Sequence, residues 1–168
     1  NKSFKVNKTS LKNSTLHISN VKPIEYLIGI TFHILLVSSI IALFFGIIGG
    51  LSGISLLWYV LILMLGVLTS LVLGGLISTL SKSNSIATAF VSLIGILNGF
   101  IPILASSNKT LMKFAKFWYT TQIKDLIGDI SDSFYLNVPF RLVVILINLI
   151  MFIILFAIFF KKNKLITK

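Results

Sequence analysis

Four uninterrupted apolar runs govern what this chain can become. They cover about Leu27–Gly50, Ile54–Leu80, Ile86–Ala105 and Leu142–Phe160, and each is long enough to cross roughly 30 Å of hydrocarbon at 1.5 Å per residue. None contains Asp, Glu, Lys or Arg. A helix that is apolar all round has no water-facing side, so the runs predict an integral membrane protein: an all-α, polytopic bundle with four transmembrane helices. Composition agrees, with 56% hydrophobic residues, a mean hydropathy of +1.01 and only 11% charged residues, against about a quarter charged in a soluble domain.

The connections divide the chain. Residues 1–26 form a polar tail, 27–160 the transmembrane domain and 161–168 a basic tail. Only Leu51-Ser52-Gly53 separates the first two spans, which predicts a tight helical hairpin, and "SKSNS" joins the second to the third. Residues 106–141 make a much longer link. Ten lysines lie on the side of the two tails and "SKSNS", whereas the opposite side has four lysines and Arg141, offset by Asp125, Asp129 and Asp132. The positive-inside rule then places both termini in the cytoplasm, in a cell membrane. The net charge of +11 sits beside apolar spans, where anionic headgroups of the lipid bilayer are the natural partner, and no nucleic acid is expected. The chain begins Asn1-Lys2 with no signal-peptide pattern before the first span, and is expected to be a fragment or the C-terminal part of a longer product.

The long link has its own pattern. Leu111, Phe114, Ala115 and Trp118 recur at helical spacing with Lys109, Lys113 and Lys116 between them; Ile123, Leu126, Ile127 and Ile130 follow, with Lys124, Asp125 and Asp129 on the other side. Two short amphipathic helices lying at, or dipping into, the outer interface fit this pattern, with Trp118 and Tyr119 at the depth aromatic rings prefer. The competing reading is an interfacial loop that covers the bundle.

Inside the spans the ionisable side chain is His33, expected to be neutral and bonded to a neighbouring helix. Small residues recur every fourth position: Ser38, Ala42, Gly46 and Gly50 on the first span, Gly66, Ser70, Gly74 and Ser78 on the second, Gly95 and Gly99 on the third. Such ladders let helix backbones approach closely and are expected to be packing faces, within the chain or across a dimer. The fourth span has almost no small residues, with Asn148 its one strongly polar group, and fits a more lipid-exposed position than the others. Thr69, Thr88, Ser92 and Asn98 are uncharged polar groups suited to interhelical hydrogen bonds or to a path for an amphipathic molecule. With no cysteine, four carboxylates and two histidines, no catalytic set, phosphate-binding loop or metal site is visible.

Before the first span lies a compact polar stretch, "LHISNVKPIEYLIG". Pro23 can open a helix, with Asn20 as a cap and Glu25 in its first turn. Taken with the hairpin returning through "LGGLISTLSKSNSIATAF", the run "LNGFIPILASSNKTLMKFAKFWYTTQIKDLI" and the closing Lys161-Lys162, the arrangement resembles the membrane (permease) subunit of a type-2 ATP-binding-cassette (ABC) exporter. The likeness covers nearly the whole chain and rests on arrangement more than on motifs. It implies the last four of six spans and a second or homologous permease as partner. It also implies a separate cytoplasmic ABC ATPase subunit holding ATP and Mg, with no cofactor in this chain and no enzyme activity of its own. Leu16, His17, Ile18, Ser19, Asn20, Val21, Lys22, Pro23, Ile24 and Glu25 would then end the ATPase-coupling segment. Pro102, Leu111, Phe114, Trp118, Ile123, Leu126 and Ile127 would belong to an outer re-entrant region. The family's "ERE-x-G-T"-like start is replaced by "NKTSLKNST", and Ile30 stands where a basic residue often follows the glycine. The alternative is a stand-alone four-span membrane interaction protein, an immunity or assembly factor.

Overall fold

A computed structural model describes the backbone of residues 23–81, 83–130 and 134–166, with side chains over 28–81, 83–130 and 138–160. Its described residues form six α-helices: α1 (Pro23–Ile48), α2 (Gly53–Leu80), α3 (Asn84–Ser107), α4 (Lys109–Ala115), α5 (Tyr119–Gly128) and α6 (Phe134–Ile166). Four stretches are long and apolar enough to cross a membrane: Ile28–Ile48, Gly53–Leu80, Asn84–Ser107 and Val138–Phe160. The all-α, four-span reading of the sequence is therefore the fold. The last helix starts earlier than the apolar run suggested, at Phe134, and carries Pro139 inside it, where the ring removes one helix hydrogen bond.

Contacts divide the chain into two units, Asn1–Ile34 and Leu35–Lys168. In the first, the described part is the beginning of α1. His33 is exposed there and makes no hydrogen bond to another described residue, so the expected interhelical bond is not formed among them. Of the residues assigned to ATPase coupling, Leu16 to Lys22 lie outside the described residues. Pro23, Ile24 and Glu25 form the first turn of α1, and their side chains lie outside the described set.

In the second unit α1 ends in a glycine-capped turn. Leu51 N–H donates to Gly46 C=O and Gly50 N–H to Ile47 C=O, both at 3.0 Å. This pair of bonds needs a left-handed residue between them, and Gly50 supplies it with φ +79°. Gly50 therefore serves the turn, while Gly46 sits against Leu56 and Tyr59 of α2 and Ala42 is buried one turn earlier. Ser83 caps α3 by accepting from Ile86 N–H, and Asn108 caps α4 by accepting from Thr110 and Leu111 N–H at 2.9 and 3.2 Å.

The core gathers where α2, α5 and α6 meet. The most extensive pairing is α2 with α6, and α5 packs against α6, α2 and α3. Ile62, Tyr119, Leu126, Ile145 and Phe152 are the buried centre. The expectation that the fourth span would be the more lipid-exposed is corrected here: one face of it is buried more fully than the first and third spans are, with Ile145 fully buried and Phe152 nearly so, while Ile147, Ile150 and Ile154 on the other face are exposed. Large side chains interlocking against α2 and α5, not small residues admitting a backbone, are what hold α6.

Candidate functional site

The link between the third and fourth spans is a helical hairpin folded back among the spans. Its elbow is Lys116-Phe117-Trp118, between α4 and α5. Three spans each send one polar side chain to it. On α3, Asn98 Oδ1 accepts from Trp118 Nε1 at 2.7 Å. On α6, Asn148 Nδ2 donates to Phe117 C=O at 2.9 Å, as well as to Val144 C=O on its own helix. On α2, Ser70 Oγ and the Tyr119 hydroxyl lie 3.0 Å apart. Ser70 already donates its proton to Gly66 C=O at 2.9 Å, so Tyr119 donates to Ser70.

These partners fix the depth of the elbow. Asn98 lies nine residues before the end of α3 at Ser107, about 14 Å at 1.5 Å per residue. Asn148 lies ten residues after Val138, where the apolar part of α6 begins, about 15 Å. Both distances are close to half of a roughly 30 Å hydrocarbon core. Non-helical backbone is tolerated there only when protein supplies its hydrogen bonds, and it does. Asn148 serves the Phe117 carbonyl and Gln122 Nε2 donates to the Lys116 carbonyl. Lys124 Nζ reaches the Pro102 carbonyl at 3.4 Å. Tyr119 and Phe152 meet edge to face at 6.2 Å. At the far end of α5, Asp129 pairs with Arg141 of α6 at 2.7 Å, a partly exposed pair that adds modestly to the clamp.

The small-residue ladder of α2 is what admits α5. A Cβ built on Gly66 would lie 2.5 Å from Ile123 Cδ1, and Ser70 holds Tyr119 four residues on. A Cβ on Gly74 would be in ordinary contact with Val91 of α3, and Ser78 is exposed. Ser38 is half-buried on α1. Gly66→Ala is therefore expected to cost about 1 kcal/mol by overpacking, and pairing it with Ile123→Val, which removes the crowding atom, should recover most of that loss. Unfolding of the detergent-solubilised variants measures both. No recovery in the pair would mean α5 does not seat on this face.

Gly95 and Gly99 behave differently: a Cβ on either meets nothing within 4 Å. They form one wall of a cleft of about 620 Å³ between α2, α3 and α5, with Ser70, Asn98, Tyr119, Thr120 and Lys124 as its polar groups. Of the other uncharged polar residues, Thr69 is fully buried and donates to Leu65 C=O, Thr88 donates to Asn84 C=O, and Ser92 is exposed.

The residues expected in a re-entrant region separate into two groups. Pro102, Trp118, Ile123, Leu126 and Ile127 surround the elbow and α5, all buried or half-buried, whereas Leu111 and Phe114 on α4 are exposed. The sequence reading missed Tyr119 as a core residue, and Gln122 and Asn148 as backbone partners. One signal was present: Asn98 and Asn148 are strongly polar residues placed almost symmetrically on the two spans that flank the link.

Among the described residues no group of His, Cys, Asp or Glu could hold a metal ion. Comparison of the chain with protein-family models, with curated proteins and with solved structures gives no match. Geometry and composition together make it a four-span helical membrane protein whose last two spans are bridged by a clamped helical hairpin.

Proposed function

We propose that the chain is the membrane subunit of an ATP-driven exporter of the type-2 ABC class, forming part of the translocation path and coupled to a separate cytoplasmic ATPase. The observation that carries this reading is the α4–α5 hairpin, set between the last two spans and turned back to about mid-membrane depth. A short helical re-entrance at this point is the feature the resemblance anticipates. The spans supply a second support. They hold no Asp, Glu, Lys or Arg, whereas pumps that run on proton or ion gradients keep such residues in the membrane. The charge nearest mid-depth is Lys116 of the elbow, which is exposed and not enclosed by the spans; this fits energy supplied by a partner, and ATP hydrolysis in a cytoplasmic subunit is the proposed source. In this reading both termini are cytoplasmic and the segment around Lys22 and Glu25 receives the ATPase.

The test is co-purification from membranes with ATPase activity as the readout. An ATP-hydrolysing subunit should accompany the chain and be lost from it on Lys22→Glu or Glu25→Lys, with the chain still inserted. Retention of the chain's cellular role in cells lacking any such ATPase would overturn the proposal. It would leave the four-span interaction protein as the reading.

A further inference from the structure

The cleft between α2, α3 and α5 has a polarity gradient along its length. On α3 its lining runs from Val91 to Pro102, and on α2 from Ile77 to Ser70. Val91 and Pro102 are eleven positions apart, about 16 Å at 1.5 Å per residue, and Asn98 between them puts the trough across the middle of the hydrocarbon core. The deep end is apolar, made by Ile77, Val91 and Ile94. The other end carries Lys124, whose Nζ lies 3.4 Å from the Pro102 carbonyl. Pro102 is five residues from the end of α3, about 8 Å, so the ammonium is the polar group of the cleft nearest the headgroups, within reach of them along a flexible stem.

One feature of this end is unspent by the fold. Lys124 has no carboxylate within ion-pair distance among the described residues, since the one pair there joins Arg141 to Asp129. A cation above an apolar trough calls for a molecule with an oxyanion and a hydrocarbon chain. The open glycine wall leaves room for the chain, and the cleft volume of about 620 Å³ falls in the range of small-molecule sites, roughly 300–1,000 Å³. Val91, Gly95 and Gly99 are accessible, so such a molecule can enter sideways from the bilayer.

We infer that this cleft binds an anionic amphiphile, with its acidic head on Lys124 and one acyl chain laid along Gly99 and Gly95. The inference stands on the cleft alone and does not rest on the transport reading. Either a phospholipid or a free fatty acid presents this chemistry, and the test separates them.

The full-length chain, purified and stripped of lipid, is offered phosphatidylglycerol, palmitate or phosphatidylcholine, and retained molecules are counted by native mass spectrometry. Wild-type protein should hold one phosphatidylglycerol or one palmitate in preference to phosphatidylcholine, and whichever is retained identifies the source. Lys124→Gln should weaken the anion preference about fivefold, the effect of one basic residue near a charged headgroup, while Lys109→Gln, away from the cleft, should leave it unchanged. Gly99→Leu, or Gly95→Leu as a second plug, fills space that is empty and should abolish the retained molecule without lowering the melting temperature. Equal retention of phosphatidylcholine, equal effects of the two lysine variants, or retention unaltered by both plugs would overturn the inference.

Discussion

Tyr119→Ala should destabilise the protein by roughly 3 kcal/mol, the low end of the range for truncating a buried aromatic, and free the hairpin from the spans. Tyr119 is 1% exposed. It opens α5, touches Phe152 edge to face and Trp118 at 5.9 Å, and donates to Ser70. Its removal leaves a void where α2, α5 and α6 meet. The low end applies because hydrocarbon surrounds the spans: a released side chain does not enter water, so the loss is of dispersion contacts and close packing. Tyr119→Phe separates ring from hydroxyl. It leaves Ser70 bonded to Gly66 C=O, so no group is orphaned, and about 0.6 kcal/mol is expected, the average for a hydrogen bond between membrane helices. Denaturant titration in detergent gives both values. The chain has no cysteine, so Ala115→Cys, at a buried position near the elbow, provides a single alkylation site. Its labelling should quicken with Tyr119→Ala and stay slow with Tyr119→Phe. Equal stabilities of the two variants would show that Tyr119 does not anchor the hairpin.

The spans were legible because length and polarity decide them: an apolar run of twenty residues in lipid has little choice but a helix. The two short helices were legible from the spacing of Leu111 and Phe114, then Ile123 and Leu126. Their depth was not, because amphipathic spacing gives a helix an apolar side and says nothing about what that side meets. Depth is set by partners far away in sequence, Ser70, Asn98 and Asn148, each of which reads locally as an isolated polar residue in a span. The glycine ladders show the same limit. Spacing by four identifies a face, yet Gly66 receives Ile123, Gly46 receives Tyr59, and Gly95 and Gly99 receive no side chain. The fourth span was misjudged for a related reason: burial of Ile145 and Phe152 follows from large residues interlocking with α2 and α5, a property of neighbours that a count of small residues does not report.

Asn148→Leu isolates the hydrogen bonds that hold the elbow at depth. Leucine has the same branched skeleton as asparagine and is larger, so no cavity forms, and the bond within α6 to Val144 C=O leaves behind an acceptor that the helix already serves. The Phe117 carbonyl is different. It lies outside both short helices, and among the described residues Asn148 is its donor. A buried polar group left without a partner costs about 1–3 kcal/mol, and with no water at mid-membrane to replace the donor a loss of about 2 kcal/mol is expected. Asn98→Leu should act on the neighbouring residue by freeing Trp118 Nε1. The two effects should not add. Phe117 and Trp118 are consecutive, so once one tether is cut the elbow can shift toward other partners and the second tether holds a geometry already lost. In a double-mutant cycle the pair should fall short of the sum by at least about 0.5 kcal/mol, the scale for residues sharing one network. Strict additivity would mean that the two asparagines stabilise separate local contacts and that no common clamp sets the depth of the hairpin.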